Sequence, residues 1–171
     1  VDFSDETHAA VTVLAFDYPA AFSLITGILA GLGFSIESGR SFTYCAMPAQ
    51  HSVRQRTRRR AGRSRSGSDP LRRRRIIDQL SGVLTAPVAA ALWQQALADR
   101  LNEIFALLEG GDQESIRTAK SRVNELVAAR LEEIRVDTRT ALFPVRIDVD
   151  NDLPGATRFR VFSEDTPAFL Y

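Results

Sequence analysis

The sequence predicts an α+β fold on three observations. Apolar residues alternate with period two along Val11–Phe16 and Phe34–Tyr44, the pattern of half-buried strands. Between and beyond them, residues 22–32, 92–108 and 116–134 place apolar side chains every three to four positions, the pattern of helices with one buried face. The 171 residues are 44% hydrophobic, enough to bury a core in one domain with part of a second.

Residues 1–10 read as a lead-in. Val11, Val13 and Ala15 then alternate with Thr12, Leu14 and Phe16 in a mostly buried strand. Asp17 suits a helix N-terminus, with Pro19 in the first turn, and Gly31 and Gly33 close that helix. Its buried face is expected to be Phe22, Ile25, Leu29 and Leu32. Phe34–Tyr44 makes a second strand that sets Phe34, Ile36, Ser38, Arg40, Phe42 and Tyr44 on one face. Ile76, Ile77, Leu80, Val83 and Leu84 form a third. Pro87 opens a helix over about 87–109, with Leu92 or Trp93, Leu97, Leu101, Ile104, Phe105 and Leu108 inward, and Gly110 and Gly111 stop it. Asp112 caps another over about 113–135, with Ile116, Ala119, Val123, Leu126, Val127, Leu131 and Ile134 inward. These two helices should form an antiparallel hairpin. Phe143–Asp150 is expected to complete the unit as a fourth strand, and Thr157–Ser163 to begin another.

From Met47 to Arg75 almost nothing is apolar. Such a segment cannot offset its ordering entropy and reads as a disordered basic insert. Arg54–Arg75 holds eleven arginines and one acid, Asp69, leaving eleven basic against twenty acidic residues elsewhere, a net of about −9. The run could contact polyanions by counterion release, and its Ser-Arg alternation is like that of segments that touch RNA nonspecifically. It contains no aromatic residue on which a base could stack, and a solvated loop folded against the acidic body is the competing reading.

Tyr18–Ile36 is uncharged, but Pro19, Gly27, Gly31 and Gly33 interrupt it, so neither a membrane span nor a signal peptide is expected. A single cysteine, Cys45, forms no internal disulfide and favours a reducing, cytoplasmic compartment. His8 and His51 have no ligand-spaced partners. Asp148, Asp150 and Asp152 form Asp-x-Asp-x-Asp, but Leu153 and Phe159 stand where a calcium loop needs glycine and a bidentate acid. No metal, cofactor or catalytic centre is expected. With no initiator Met and a pattern that breaks off at Tyr171, the chain is expected to be a piece of a longer polypeptide.

The strand and its turn recur. "VLAFDYPAAF" at Val13–Phe22 aligns with "VFSEDTPAFL" at Val161–Leu170, each a strand, Asp-x-Pro-Ala and an apolar helix start. A duplicated regulatory module fits this better than a unique active site. Together with "GFSIESGRSFT" and with "IDVDND" leading into "RFRVFSEDTPAFLY", the chain resembles the tandem ACT domains at the C-terminus of the bacterial protein-PII uridylyltransferase (uridylyl-removing) family. There the stretches read Asp-Arg-Pro-Gly-Leu, Ile-x-x-Ala-Arg-Ile-x-Thr and Val-x-x-Asp-Asn. Asp17, Pro19, Arg40, Thr43, Asp150 and Asn151 match them position by position, and the resemblance covers Val11–Thr43 and Ile77–Tyr171.

The resemblance implies a ferredoxin-like βαββαβ ACT domain with an antiparallel sheet over 11–151, carrying the basic insert at 47–75, and the start of a second ACT domain at 157–171. It also implies that ACT units pair, with another ACT domain or as a homodimer, and bind a small amino acid effector, glutamine in the uridylyltransferases. The free N–H groups and dipole of a strand-to-helix turn suit an effector carboxylate. Asp17, Tyr18, Pro19, Ala20 and Ala21 hold that place, with Asp165, Pro167 and Ala168 in the repeat. Ala20 and Ala168 stand where the family has glycine, and Tyr18 and Thr166 where it has arginine. The expected role is a non-catalytic, amino-acid-sensing module of a nitrogen-signalling protein. A dimerisation module without an effector and polyanion contact through Arg54–Arg75 are the alternatives.

Overall fold

The computed structural model describes residues 1–44, 74–133, 146–152 and 158–162. In chain order these form β1 (Asp2–Phe3), β2 (His8–Phe16), α1 (Ala21–Gly31), β3 (Phe34–Tyr44), β4 (Arg75–Leu84), α2 (Ala90–Glu109), α3 (Gln113–Glu133), β5 (Arg146–Asp150) and β6 (Arg158–Phe162). The fold is mixed α+β: a four-stranded antiparallel sheet in the order β1-β2-β4-β3, three helices, and a two-stranded antiparallel pair β5-β6.

The first ten residues are structured, contrary to the lead-in expected. The Asp5 Oδ1 accepts from the backbone N–H of His8 at 2.7 Å and of Thr7 at 2.8 Å, closing a turn that folds β1 onto β2. Phe3 then meets the Trp93 ring edge-on at 6.0 Å. Along β2, Ala9, Val11 and Val13 are buried while Thr12 and Leu14 are exposed, so a single face of the sheet feeds the core.

α1 is the centre of that core. Leu24, Ile25, Ile28 and Leu29 are each 1% exposed or less, and burial of each stabilises the fold by about 1.5–3 kcal/mol. Phe22, expected inward, is 43% exposed. The helix is covered by the sheet and by α3 together, so its buried stripe is wide and centred on 24, 25, 28 and 29, leaving Phe22 at the rim. The carbonyls at its C-terminal end find donors outside the helix. Trp93 Nε1 donates to Leu32 O at 3.1 Å, and the Thr85 N–H and hydroxyl donate to Gly33 O at 2.8 and 3.1 Å.

α2 begins at Ala90, three residues past the expected Pro87, and buries Trp93, Leu97, Ile104 and Leu108; Leu92 is 73% exposed. Asp112 caps α3 by accepting from the Ser115 N–H at 2.8 Å, and Ala119, Val123 and Val127 turn inward.

Two strands depart from expectation. β3 does not keep Phe34 through Tyr44 on one face. Ile36 pairs with Gly82 and Ser38 with the adjacent Ser81, so Glu37 is an extra residue, a β-bulge. Side-chain phase inverts there: Phe34 and Ile36 lie on the helix side, whereas Ser38, Arg40, Phe42 and Tyr44 lie on the opposite face. The second departure concerns Phe143–Asp150, expected as the fourth strand of the unit. Its described part, β5, pairs with β6 and not with β2, whose outer edge carries β1 at Ala9 and Ala10. No helix among the described residues is long and apolar enough to cross a membrane.

Candidate functional site

The turn between β2 and α1 gathers Asp17, Tyr18, Pro19, Ala20 and Ala21, and its geometry differs from a simple Asp cap. Ala20 lies at φ 65° and ψ 12°, the left-handed region, and takes the N-cap place; α1 starts only at Ala21. A left-handed residue cannot continue a right-handed helix, which is why the helix starts after it and not at Asp17. The Ala21 N–H donates to Tyr18 O at 3.1 Å and the Leu24 N–H to Ala20 O at 3.0 Å. The intervening N–H groups of Phe22 and Ser23 have no acceptor among the described residues, so they and the helix dipole are available to an anion.

Asp17 is instead tied to β4. Its N–H donates to Arg74 O at 2.9 Å, and its carboxylate lies 3.6 Å from Arg74 Nε. The last two arginines of the basic run thus stand beside the turn, and Arg75 already belongs to β4. Tyr18 is half-buried, with its ring 6.2 Å from both Phe16 and Phe105, which fixes the turn against α2. Pro19 is exposed, whereas Ala21 is buried in the core. Asp165, Pro167 and Ala168 lie outside the described residues, as do Cys45 and most of the basic run.

Sequence reasoning passed over Asp78. It is fully buried on the helix side of β4; Ser41 Oγ donates to its Oδ1 at 2.5 Å, and its Oδ2 has no partner among the described residues. The signal was present in the phase of β4, where Ile76, Asp78 and Leu80 share a face and an acid stands between two core residues. The Asp-x-Asp-x-Asp run is occupied by its own chain. Arg146 forms a two-pronged pair with Asp148 at 3.0 and 3.1 Å, Arg158 lies 3.8 Å from Asp150, and Asp150 accepts from the Asp152 N–H at 3.0 Å.

These features define a small α+β module whose sheet is covered by helices on one face and whose β2–α1 turn offers backbone donors beside the Asp17 carboxylate. No family model matches the chain, and no curated protein or solved structure matches it.

Proposed function

We propose that this chain is a regulatory, amino-acid-sensing module of ACT type belonging to a protein-PII uridylyltransferase-like nitrogen-signalling protein. The observation that carries the reading is Ala20. The turn holds a left-handed φ of 65° at the position where the resembling family has glycine, so the backbone shape natural to glycine persists without it. Strain retained in a turn is a mark of pre-organised ligand sites. In this reading the carboxylate of a glutamine-type effector meets the Phe22 and Ser23 N–H groups, and Asp17, Pro19 and the Ala20 methyl border it. β2, α1, β3 and β4 supply the first four elements of a ferredoxin-like βαββαβ unit, with the α2–α3 hairpin in place of its second helix. Such a unit works by pairing with another ACT domain or a second copy, and the chemistry it regulates lies outside it.

The test is a thermal-shift scan of the chain against the twenty free amino acids, glutamine included. A ligand at one hundred times its dissociation constant adds about 2.7 kcal/mol. One amino acid should stabilise selectively, and more tightly in Ala20→Gly, where the methyl group is gone. A flat response in both proteins would refute sensing and leave a dimerisation module.

A further inference from the structure

The face of the sheet away from the helices is uncovered, and the strand register fixes what it displays. Three ranks cross β2, β4 and β3 in order: Phe16–Arg75–Tyr44, Leu14–Ile77–Phe42 and Thr12–Gln79–Arg40. Leu14 is 63%, Phe42 50% and Tyr44 38% exposed. The Arg75 guanidinium lies 5.8 Å from the centroid of the Phe16 ring, and Arg40 has no ion-pair partner among the described residues. No acid stands in these ranks. β2 contains none, Asp78 of β4 faces the core, and Glu37 of β3 is at the bulge, away from them. A solvated antiparallel face is ordinarily polar; this one interleaves exposed aromatic rings with arginines.

We propose that this open face is a platform for single-stranded nucleic acid. Phe42 and Tyr44 are two positions apart on one strand, about 6.8 Å, which gives successive splayed bases a ring each. Arg75 and Arg40 flank those rings and take the phosphates, while Gln79 and Thr12 offer hydrogen bonds to base edges or sugars. A duplex hides its base faces, so the platform selects single strands. Face-to-face packing of a second copy would set arginine against arginine with no acid to offset them, which disfavours that occupant. In sequence, β3 and β4 flank the arginine run, and the aromatic residues that the run lacks stand on β3, as Phe42 and Tyr44, and on β2, as Phe16. The platform adjoins the effector turn, since the Phe16 ring lies 6.2 Å from Tyr18, but Phe42 and Tyr44, the two rings under test, stand on β3 and not in that turn.

The experiment is fluorescence anisotropy of the full chain with labelled oligouridylate and oligodeoxythymidylate of about 12 nucleotides, compared with a duplex of the same length and with heparin. Phe42→Ala and Tyr44→Ala should each weaken single-strand binding about tenfold while heparin affinity changes less than about twofold. Tyr44→Phe keeps the ring and should keep the affinity. Circular dichroism should show all three variants folded, since both side chains are exposed. Absence of single-strand binding, equal losses for heparin, no loss in either alanine variant, or a duplex bound as tightly would overturn the proposal and leave at most plain polyanion contact. A native dimer made monomeric by Phe42→Ala would also overturn it, giving the face to a second copy.

Discussion

The Ala20 backbone, at φ 65°, occupies a region that costs a residue with a side chain roughly 1–2 kcal/mol. Glycine removes that cost, and its greater freedom in the unfolded chain returns part of it. Ala20→Gly is therefore expected to raise the unfolding free energy by about 0.5 kcal/mol, read from the urea midpoint at unchanged slope. A lower midpoint would mean that the turn is not left-handed in solution. Asp5 gives a second residue-scale expectation. Hydrogen bonds from the backbone of His8, then of Thr7, hold its carboxyl down to about 2, from 3.8. A depressed carboxyl stabilises the fold above its unfolded value, and that contribution disappears as pH falls from 3.8 through about 2. An NMR titration should find the low value, and Asp5→Asn should flatten the stability curve across that window. Neither residue announces its geometry in sequence: alanine rarely sits left-handed, and an Asp-x-x-His turn is one use of Asp among many.

At the scale of elements, the bulge in β3 is supported from across the ladder by Gly82. A Cβ there would lie 2.0 Å from the Ser35 carbonyl oxygen, a backbone atom with nowhere to go. Gly82→Ala should cost about 3 kcal/mol. Gly39→Ala meets the tip of the Leu80 side chain at 2.6 Å, which can rotate away, and should cost under about 1 kcal/mol. Equal losses in chemical denaturation would show that the strands separate at the bulge. The extents of β3 and β4 were legible because Gly33 and the basic run bound Phe34–Tyr44, and that run and Pro87 bound the apolar residues Ile76, Ile77, Leu80, Val83 and Leu84. The bulge was not, because Glu37 suits solvent in either phase and only the partner strand reveals the extra residue. Helix positions show a similar division. Trp93, Leu97, Ile104 and Leu108 were legible as a stripe, while Phe22 was misplaced because the phase of an almost wholly apolar helix is set by what packs around it.

For the whole molecule, one face of the sheet and the three helices make a single core, as the balance of alternating and helical periods led one to expect. Pairings between distant segments were beyond the pattern. Nothing local in Asp2–Phe3 identifies a strand, and β5 carries the same alternation whether it adds to the main sheet or pairs with β6. At the candidate site, the consecutive residues 17–21 came together as sequence requires, whereas the tie from Asp17 to Arg74 depends on the fold. The bulge also has a genetic meaning. Loss of the single Glu37 codon would set Ser38 directly after Ile36 and keep their partners Ser81 and Gly82, so Arg40 and Phe42 would stay on the open face and Gly39, Ser41 and Thr43 on the helix side. A three-base deletion at this codon is absorbed by the bulge, so lineages of this chain should tolerate a β3 one residue shorter at position 37 while keeping Phe42 and Tyr44 on the open face.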